Sequence, residues 1–147
     1  MQRRGFEPIG IEGLYWELMG IDDGRVAPHT SAHTRVNISA REIARFGYLM
    51  LHGGVWNGTP LVPSWWLDLA TRPSQAHNRC YGLTWWVNRE GDWEGVPRDA
   101  FAAMGAHHNV CYIIPSLDLV ALRIGAGPEG SVTEPTFIAA VVRSIVG

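Results

Sequence analysis

The chain has 147 residues, 46% of them hydrophobic and 18% charged, a composition that suits one folded domain with a sizeable core. The formal net charge is −2 and the basic residues are scattered along the sequence, so neither nucleic acid nor an acidic membrane is indicated as a partner. No apolar run approaches the roughly 20 residues needed to cross a bilayer. No apolar stretch follows the first basic residues, so no secretory signal is predicted and the localisation stays open.

The cysteine and histidine pattern predicts no cofactor and no metal site. Cys80 and Cys111 are each flanked by strand-like sequence and are interpreted as structural thiols. His29 and His33 are spaced like a metal pair on a helix, but Pro28 argues against a helix there. No third ligand has suitable spacing.

Residues 1–37 carry glycine, proline, aspartate and histidine at short intervals, which predicts an irregular, loop-rich lead-in. Two helices are predicted within residues 38–73. Ser39 and Glu42 form a capping-box pattern, and Ile38 and Ile43 fit a hydrophobic staple at the start of the first helix. Its buried stripe is predicted to contain Ile43, Phe46, Gly47 and Met50, with Arg41, Glu42 and Arg45 pointing away from it.

Asn57-Gly58 indicates a turn, and Pro63-Ser64 opens a second helix that stops before Pro73. The sequence holds seven tryptophans, and indole rings can stack on sugars. Because the pairs at 65–66 and 85–86 fall in a helix and a strand, we expect at least one member of each pair to be buried, which favours packing over carbohydrate binding.

Residues 80–125 change to a strand pattern. Aromatic and β-branched runs at 81–88, 100–105, 110–114 and 119–124 predict an antiparallel meander, with a tight turn at 115–118. Residues 132–147 predict a C-terminal helix, with Thr133 as its cap and Pro135 in its first turn. Its apolar face contains Phe137, Ile138, Val141, Val142 and Ile145. The fold class is therefore α+β, an antiparallel sheet with flanking helices.

Several stretches, taken in order, resemble a known superfamily. They are residues 6–11, 38–47, 54–66, 81–88 and 105–123. Together they resemble the C-terminal part of the serine β-lactamase and penicillin-binding-protein superfamily, which includes esterases and 6-aminohexanoate-oligomer hydrolases. The resemblance implies a partial β-lactamase/transpeptidase-like fold, with residues 1–147 as the C-terminal segment of a β-lactamase-related serine hydrolase domain.

The resemblance also implies acyl-enzyme chemistry, in which the serine of a Ser-x-x-Lys motif attacks an ester or amide carbonyl and a second motif with Tyr relays protons. This sequence contains no lysine, so none of its serines belongs to such a motif. In the family's order both motifs would precede Met1. We therefore expect this chain alone to be inactive, as a fragment of such a hydrolase.

The third motif of the family lies on a strand that lines the reaction cleft, and residues 103–106 occupy its place. By resemblance Met104, Gly105, Ala106 and His107 are the candidates for the oxyanion and substrate wall, with the Ala106 N–H as oxyanion donor. His107 would polarise a bound carbonyl, or else be an exposed loop histidine. Ala103 and Met104 supply neither charge nor hydroxyl, which favours a small ester or linear amide over a lactam.

A non-catalytic binding module or pseudoenzyme of the same fold remains the alternative. In either case, elements that pack against further residues in the family would leave apolar surface exposed here. The sequence therefore also predicts self-association or marginal stability of the isolated chain.

Overall fold

The computed structural model describes residues 5–16, 18–19, 29–30, 36–125 and 134–147. Its strands are β1 Tyr15–Trp16, β2 Leu18–Met19, β3 His29–Thr30, β4 Val36–Asn37, β5 Val55–Trp56, β6 Thr59–Pro60, β7 Trp86–Val87, β8 Phe101–Met104, β9 Val110–Ile114 and β10 Leu119–Arg123. Its helices are α1 Ala40–Leu51, α2 Ser64–Ala70 and α3 Glu134–Val146. Within the described ranges, no helix has the length and apolar character needed to span a membrane.

The start of α1 confirms the predicted capping box. The Ser39 hydroxyl accepts a hydrogen bond from the Glu42 N–H at 3.3 Å, and the Glu42 carboxylate accepts one from the Ser39 N–H at 3.0 Å. Two backbone donors that a helix start leaves unpaired are satisfied in this way. The helix ends at Leu51, just before the two glycines that predicted its end.

The buried face of α1 packs on the sheet through Gly47. A Cβ atom at this position would lie 2.7 Å from Val120 Cγ1 and 2.9 Å from Cys111 Sγ, closer than packed atoms tolerate. Glycine therefore lets the helix backbone approach β9 and β10 closely. Leu49 and Met50 are also buried, whereas Ile43 and Phe46 are only half-buried.

The Asn57-Gly58 turn joins β5 to β6 as predicted, with positive φ angles of 47° and 78° at its two central residues. The next element, α2, buries only Leu67 and Ala70. Trp65 is 66% exposed and Trp66 is 43% exposed, so the expectation that one of this pair is buried is wrong. The buried face of this seven-residue helix is too narrow to include either tryptophan.

The second tryptophan pair behaves as expected. Trp85 is buried, stacked on Phe46 with ring centroids 6.1 Å apart, and meets Phe101 edge-on at 5.1 Å. Its neighbour Trp86 is exposed on the sheet. Trp85 therefore joins α1 to the sheet through aromatic packing.

A four-stranded antiparallel sheet in the order β10-β9-β8-β7 forms the centre of the fold and confirms the predicted meander. Every residue of β9 is buried, because helices cover both faces of the sheet. Cys111 and Ile113 belong to the core on the α1 side. Val110, Tyr112 and Ile114 belong to the core under α3.

The first predicted strand, 81–88, is shorter than expected, since only Trp86 and Val87 form β7. Thr84 has a φ of +69°, and the Gly82 N–H donates to the Trp85 carbonyl, so the chain turns before the strand begins. Gly82 lies against the Ala70 carbonyl of α2, where a Cβ would be 2.2 Å away. Contact with α2, which the strand pattern does not encode, sets this turn.

The C-terminal helix α3 buries Ile138 and Val142 against the sheet. Ile145 is 52% exposed, so the apolar face is narrower than predicted. The proposed cap Thr133 lies outside the described residues, as does His33. Within the lead-in, β1 pairs with β4 and β2 pairs with β3, two short antiparallel ladders that its irregular pattern did not predict.

Candidate functional site

In the part of the chain that the structure describes, the C-terminal end of β8 is an open edge of the sheet. On one side the Gly105 N–H donates to the Asn109 carbonyl at 2.8 Å and continues the ladder with β9. On the other side β7 begins at Trp86, which pairs with Ala102. No residue of β7 therefore faces Met104 or the residues that follow it.

The ladder register determines which way the backbone donors point. Successive N–H groups of a strand alternate between its two edges. Gly105 is extended, with φ −123° and ψ 179°, and its N–H points to β9. The N–H groups of Met104 and Ala106 consequently face the open edge, away from β9.

A tight turn at Ala106–His108 follows, and its backbone is strained. His107 and His108 have φ angles of 60° and 61°, a left-handed conformation that residues other than glycine seldom adopt. Such strain persists only where surrounding contacts hold it, and it is frequent at functional sites.

Asn109 holds this turn. Its Nδ2 donates to the Ala106 carbonyl at 3.0 Å, and its Oδ1 accepts from the Gly125 N–H at 2.7 Å. One side chain thus joins the turn after β8 to the end of β10. The position of the Ala106 amide depends on this bridge.

An apolar groove of about 320 Å³ adjoins the open edge. Met104, Gly105 and Asn109 form part of its wall. The remaining lining residues are apolar side chains from the lead-in, the start of α1 and the sheet: Phe6, Ile11, Leu14, Val36, Ile38, Ile43, Phe46, Ala103, Val110, Cys111 and Ile124. The groove has the size of a small-molecule site, and none of the described residues in its lining carries a charged side chain.

Glu42 joins the lead-in, which supplies Phe6, Ile11 and Leu14 to the groove, to the start of α1. Its carboxylate accepts hydrogen bonds from the N–H groups of Glu12 and Gly13 at 3.0 and 2.8 Å, besides those from Ser39. The pKa of Glu42 is lowered from 4.5 to about 2. The hydrogen bond from the Ser39 hydroxyl contributes most, followed by those from the Gly13 and Ser39 amides. Arg45 adds a bond to the Gly10 carbonyl at 3.0 Å.

The prediction that Glu42 points away from the buried stripe is therefore wrong. Its side chain is buried, because it satisfies backbone donors of the lead-in that would otherwise lie unpaired against α1. Arg45 likewise turns towards the lead-in and is half-buried.

The groove contains one sulfur nucleophile, Cys111. Burial raises the pKa of its thiol to about 12, which keeps it protonated and unreactive at neutral pH. Cys80 lies elsewhere, where its Sγ donates to the Asp92 carboxylate at 3.1 Å and this bond raises its pKa. Both cysteines are free thiols. Across the described ranges, no three His, Cys, Asp or Glu side chains cluster as metal ligands would.

Of the four residues predicted from sequence, the structure brings Met104 and Gly105 together in the groove wall. Ala106 and His107 are exposed and lie just beyond it, in the turn. Glu42 and Asn109 are structural supports of the site that sequence reasoning missed. The capping box drew attention to Glu42, but nothing in the sequence indicates that its carboxylate also binds the Glu12 and Gly13 amides.

No protein-family model matches the sequence. An uncharacterized protein of Alkalihalophilus pseudofirmus is 31% identical over 106 residues, which cover 63% of this chain and 32% of that protein. The chain thus spans about a third of the length of the curated relative it matches.

Several solved structures resemble the fold, among them one from Bacteroides dorei and one from Bacillus anthracis. A protein assigned as a β-lactamase from Bacteroides dorei superposes with a TM-score of 0.61 at 13% identity, over 99% of this chain and 49% of that one. A protein assigned as a 6-aminohexanoate-dimer hydrolase from Bacillus anthracis gives a TM-score of 0.53 at 21% identity, over 76% and 28% of the two chains. At these identities the likeness establishes architecture. The predicted α+β class and the resemblance at the level of fold are confirmed, and the chain has a β-lactamase-like, hydrolase-like fold.

Proposed function

We propose that the open edge at Met104–Ala106 is the oxyanion-stabilising wall of a serine hydrolase site that cleaves an ester or amide through an acyl-enzyme. The observation that carries the proposal is the pair of backbone N–H groups, at Met104 and Ala106, that face the open edge beyond the start of β7, beside an apolar groove. Preorganised amide donors of this kind stabilise the negative charge that develops on a carbonyl oxygen during acyl transfer. The β-lactamase-like fold supports the same assignment.

The chemistry needs a nucleophile and a base from residues outside this sequence. In the proposed reaction, a serine hydroxyl adds to the substrate carbonyl and loses its proton to a neighbouring lysine. The alcohol or amine leaves with a proton, and water then releases the acid. This sequence has no lysine, and no serine is part of the groove lining in the described ranges.

The groove favours an uncharged acyl substrate. Ala103 and Met104 offer no cation or hydroxyl to a substrate carboxylate, and the surrounding side chains are apolar. A carboxylate buried there would lose its hydration without a partner. We therefore assign a small ester or linear amide, in preference to a lactam that bears a carboxylate.

The first test uses this chain alone. We expect no covalent labelling by a fluorophosphonate probe, and no turnover of a chromogenic ester or a cephalosporin. Labelling of any of its serines would contradict the proposal, because the site would then contain its own nucleophile.

The second test reads the DNA upstream of the Met1 codon. An open frame encoding a Ser-x-x-Lys helix supports the proposal, and the joined protein should then be labelled at that serine. A stop codon in that position favours the binding-module alternative. That alternative is supported by the described lining residues, which include neither a base nor an activated nucleophile.

In the joined protein, Ala106→Pro removes the proposed donor. Gly105 is already extended and Ala106 begins the turn, so proline fits this backbone. We expect kcat to fall about a hundredfold, since loss of one oxyanion donor has an effect of this size. Ala106→Gly keeps the N–H and serves as the control. Equal activity of the two variants would remove Ala106 from the mechanism.

The apolar groove also supports the proposal that the isolated chain self-associates. Val36 and Ile124 line it and are each more than 40% exposed. Light scattering over a dilution series should show association that the double substitution Val36→Thr and Ile124→Thr reduces. A monomer that persists at high concentration would contradict this.

A further inference from the structure

A second concavity, of about 660 Å³, lies at the opposite end of β8 from Gly105. Its lining includes Phe101, at the start of β8. Gly105 is four positions further along the chain, so at about 3.3 Å per residue the two ends lie roughly 13 Å apart. The concavity is therefore distinct from the groove of the proposed hydrolase site. It differs chemically as well, because polar and charged side chains form part of its wall.

Trp65 is the most exposed tryptophan side chain that the structure describes, at 66%, and it lines this concavity. Its neighbour Trp66 meets it edge-on, with centroids 5.9 Å apart, and is absent from the lining. Neither ring contributes to the buried face of α2. The core thus gives no reason for a large indole at position 65.

Three charged side chains accompany Trp65: Arg89, Asp68 and Asp99. Arg89 donates from Nε to the Thr71 carbonyl at 3.3 Å, and no residue in the described ranges accepts a hydrogen bond from its two terminal nitrogens. Asp99 accepts from the Ser116 N–H and hydroxyl at 2.6 and 2.9 Å. Asp68 pairs with Arg72 at 2.7 Å through one oxygen.

This combination selects among ligand classes. An anion would bind Arg89 but meet two carboxylates, and a purely apolar ligand would strip water from the guanidinium. A neutral polyol can donate to the carboxylates, which keep unused lone pairs, and accept from Arg89. A pyranose with equatorial hydroxyls also has an apolar ring face that can stack on an indole.

We propose that the concavity lined by Trp65, Asp68, Arg89 and Asp99 is a binding site for a neutral carbohydrate built of pyranoses with equatorial hydroxyls. The sugar ring stacks on Trp65, and its hydroxyls bond to Arg89 and the two aspartates. This site is independent of the proposed hydrolase activity, since no described residue lines both the concavity and the apolar groove.

The test titrates the 147-residue chain with cellotetraose, by calorimetry and by ligand-observed saturation-transfer NMR. Binding in the millimolar range is expected. Trp65→Ala and Arg89→Gln should each weaken it about tenfold, and Trp65→Phe should weaken it less because an aromatic face remains.

Trp66→Ala and Arg98→Gln are the matched controls, because both side chains are exposed and neither lines the concavity. They should change the dissociation constant less than twofold, a difference of about 0.4 kcal/mol. Thermal melting of all five variants should match the parent chain, since the substituted side chains are exposed.

Three results would overturn the proposal. The first is the absence of cellotetraose binding by a chain that melts cooperatively. The second is equal loss of binding in the Trp65 and Trp66 alanine variants. The third is a preference for trigalacturonate or tri-arginine over cellotetraose, which would assign the concavity to an acidic sugar or a basic peptide instead.

Discussion

Gly47 and Gly105 lie in two differently packed regions of the same sheet. At Gly47 the helix backbone touches β9 and β10, and a single added carbon would collide with Val120 and Cys111. At Gly105 the nearest atom to an added carbon is the Asn109 carbonyl oxygen, 3.8 Å away, which is an ordinary contact. The first region is a completed core, whereas the second is an open edge beside an apolar groove. Stability therefore depends on the α1 contact, and the proposed chemistry depends on the edge.

The largest effect on the free energy of unfolding is expected at Gly47, where α1 packs on the sheet. Gly47→Val should lower the free energy of unfolding by about 3 kcal/mol, because the stiff side chain has no space between α1 and the sheet. Urea denaturation measures this change. Ala40→Val, at an exposed position of the same helix, should cost much less. Equal costs would mean that α1 does not approach the sheet this closely.

Glu42→Gln should have the next largest effect, since the carboxylate bonds the lead-in to α1. The folded-state pKa of about 2 lies below the ordinary 4.5, so the stabilisation is complete above pH 4.5 and is lost as the pH falls towards 2. The variant should melt at a lower temperature than the parent chain at pH 7. Between pH 4.5 and 2 its melting temperature should also fall less, because the contribution of the ionised Glu42 is already absent.

Glu12→Gln is the control for Glu42, because the Glu12 side chain is exposed in the same loop. Its melting temperature should follow the parent chain through the acid range. A Glu42→Gln variant with an unchanged acid profile would show that another carboxylate is responsible.

Asn109→Ala should lower the free energy of unfolding by about 1 kcal/mol, because two exposed hydrogen bonds are lost. Amide hydrogen exchange should also accelerate at Gly125. Asn109→Asp keeps the Oδ1 acceptor and should preserve protection of Gly125 better than alanine does. Unchanged exchange in the alanine variant would show that Asn109 does not hold the turn.

The smallest effect on stability is expected at the open region. Gly105→Ala should change the free energy of unfolding by less than about 0.5 kcal/mol, since its φ of −123° suits any residue and the added carbon has space. A large loss of stability would mean that the edge is packed, and would remove the space that the proposed substrate needs.

Local patterns predicted most of the elements. The capping box at Ser39 and Glu42, the Asn57-Gly58 turn, and the strands β9 and β10 all lie within two residues of their predicted places. These features depend on interactions between residues close in sequence, which a pattern can encode. Strand β8, Phe101–Met104, also lies within the predicted range 100–105.

The errors occurred where distant residues decide the outcome. Thr84 turns out of the strand pattern because Gly82 lies against the Ala70 carbonyl. Trp65 and Trp66 are exposed because Leu67 and Ala70 occupy the only buried face of α2. Glu42 is buried because its carboxylate accepts hydrogen bonds from the N–H groups of Glu12 and Gly13, some thirty residues earlier in the chain.

The sequence by itself determined the α+β class and the antiparallel meander. It also showed that none of its serines can form a Ser-x-x-Lys motif, because it contains no lysine. Periodicity, turn chemistry and residue identity are local properties, and they suffice for those conclusions. Only the tertiary structure decided that the Ala106 amide faces an open edge, that Asn109 joins two strand ends, and that Trp65 shares a concavity with Arg89. Each of these depends on strand register or on packing between separate segments, and such contacts exist only once the chain has folded.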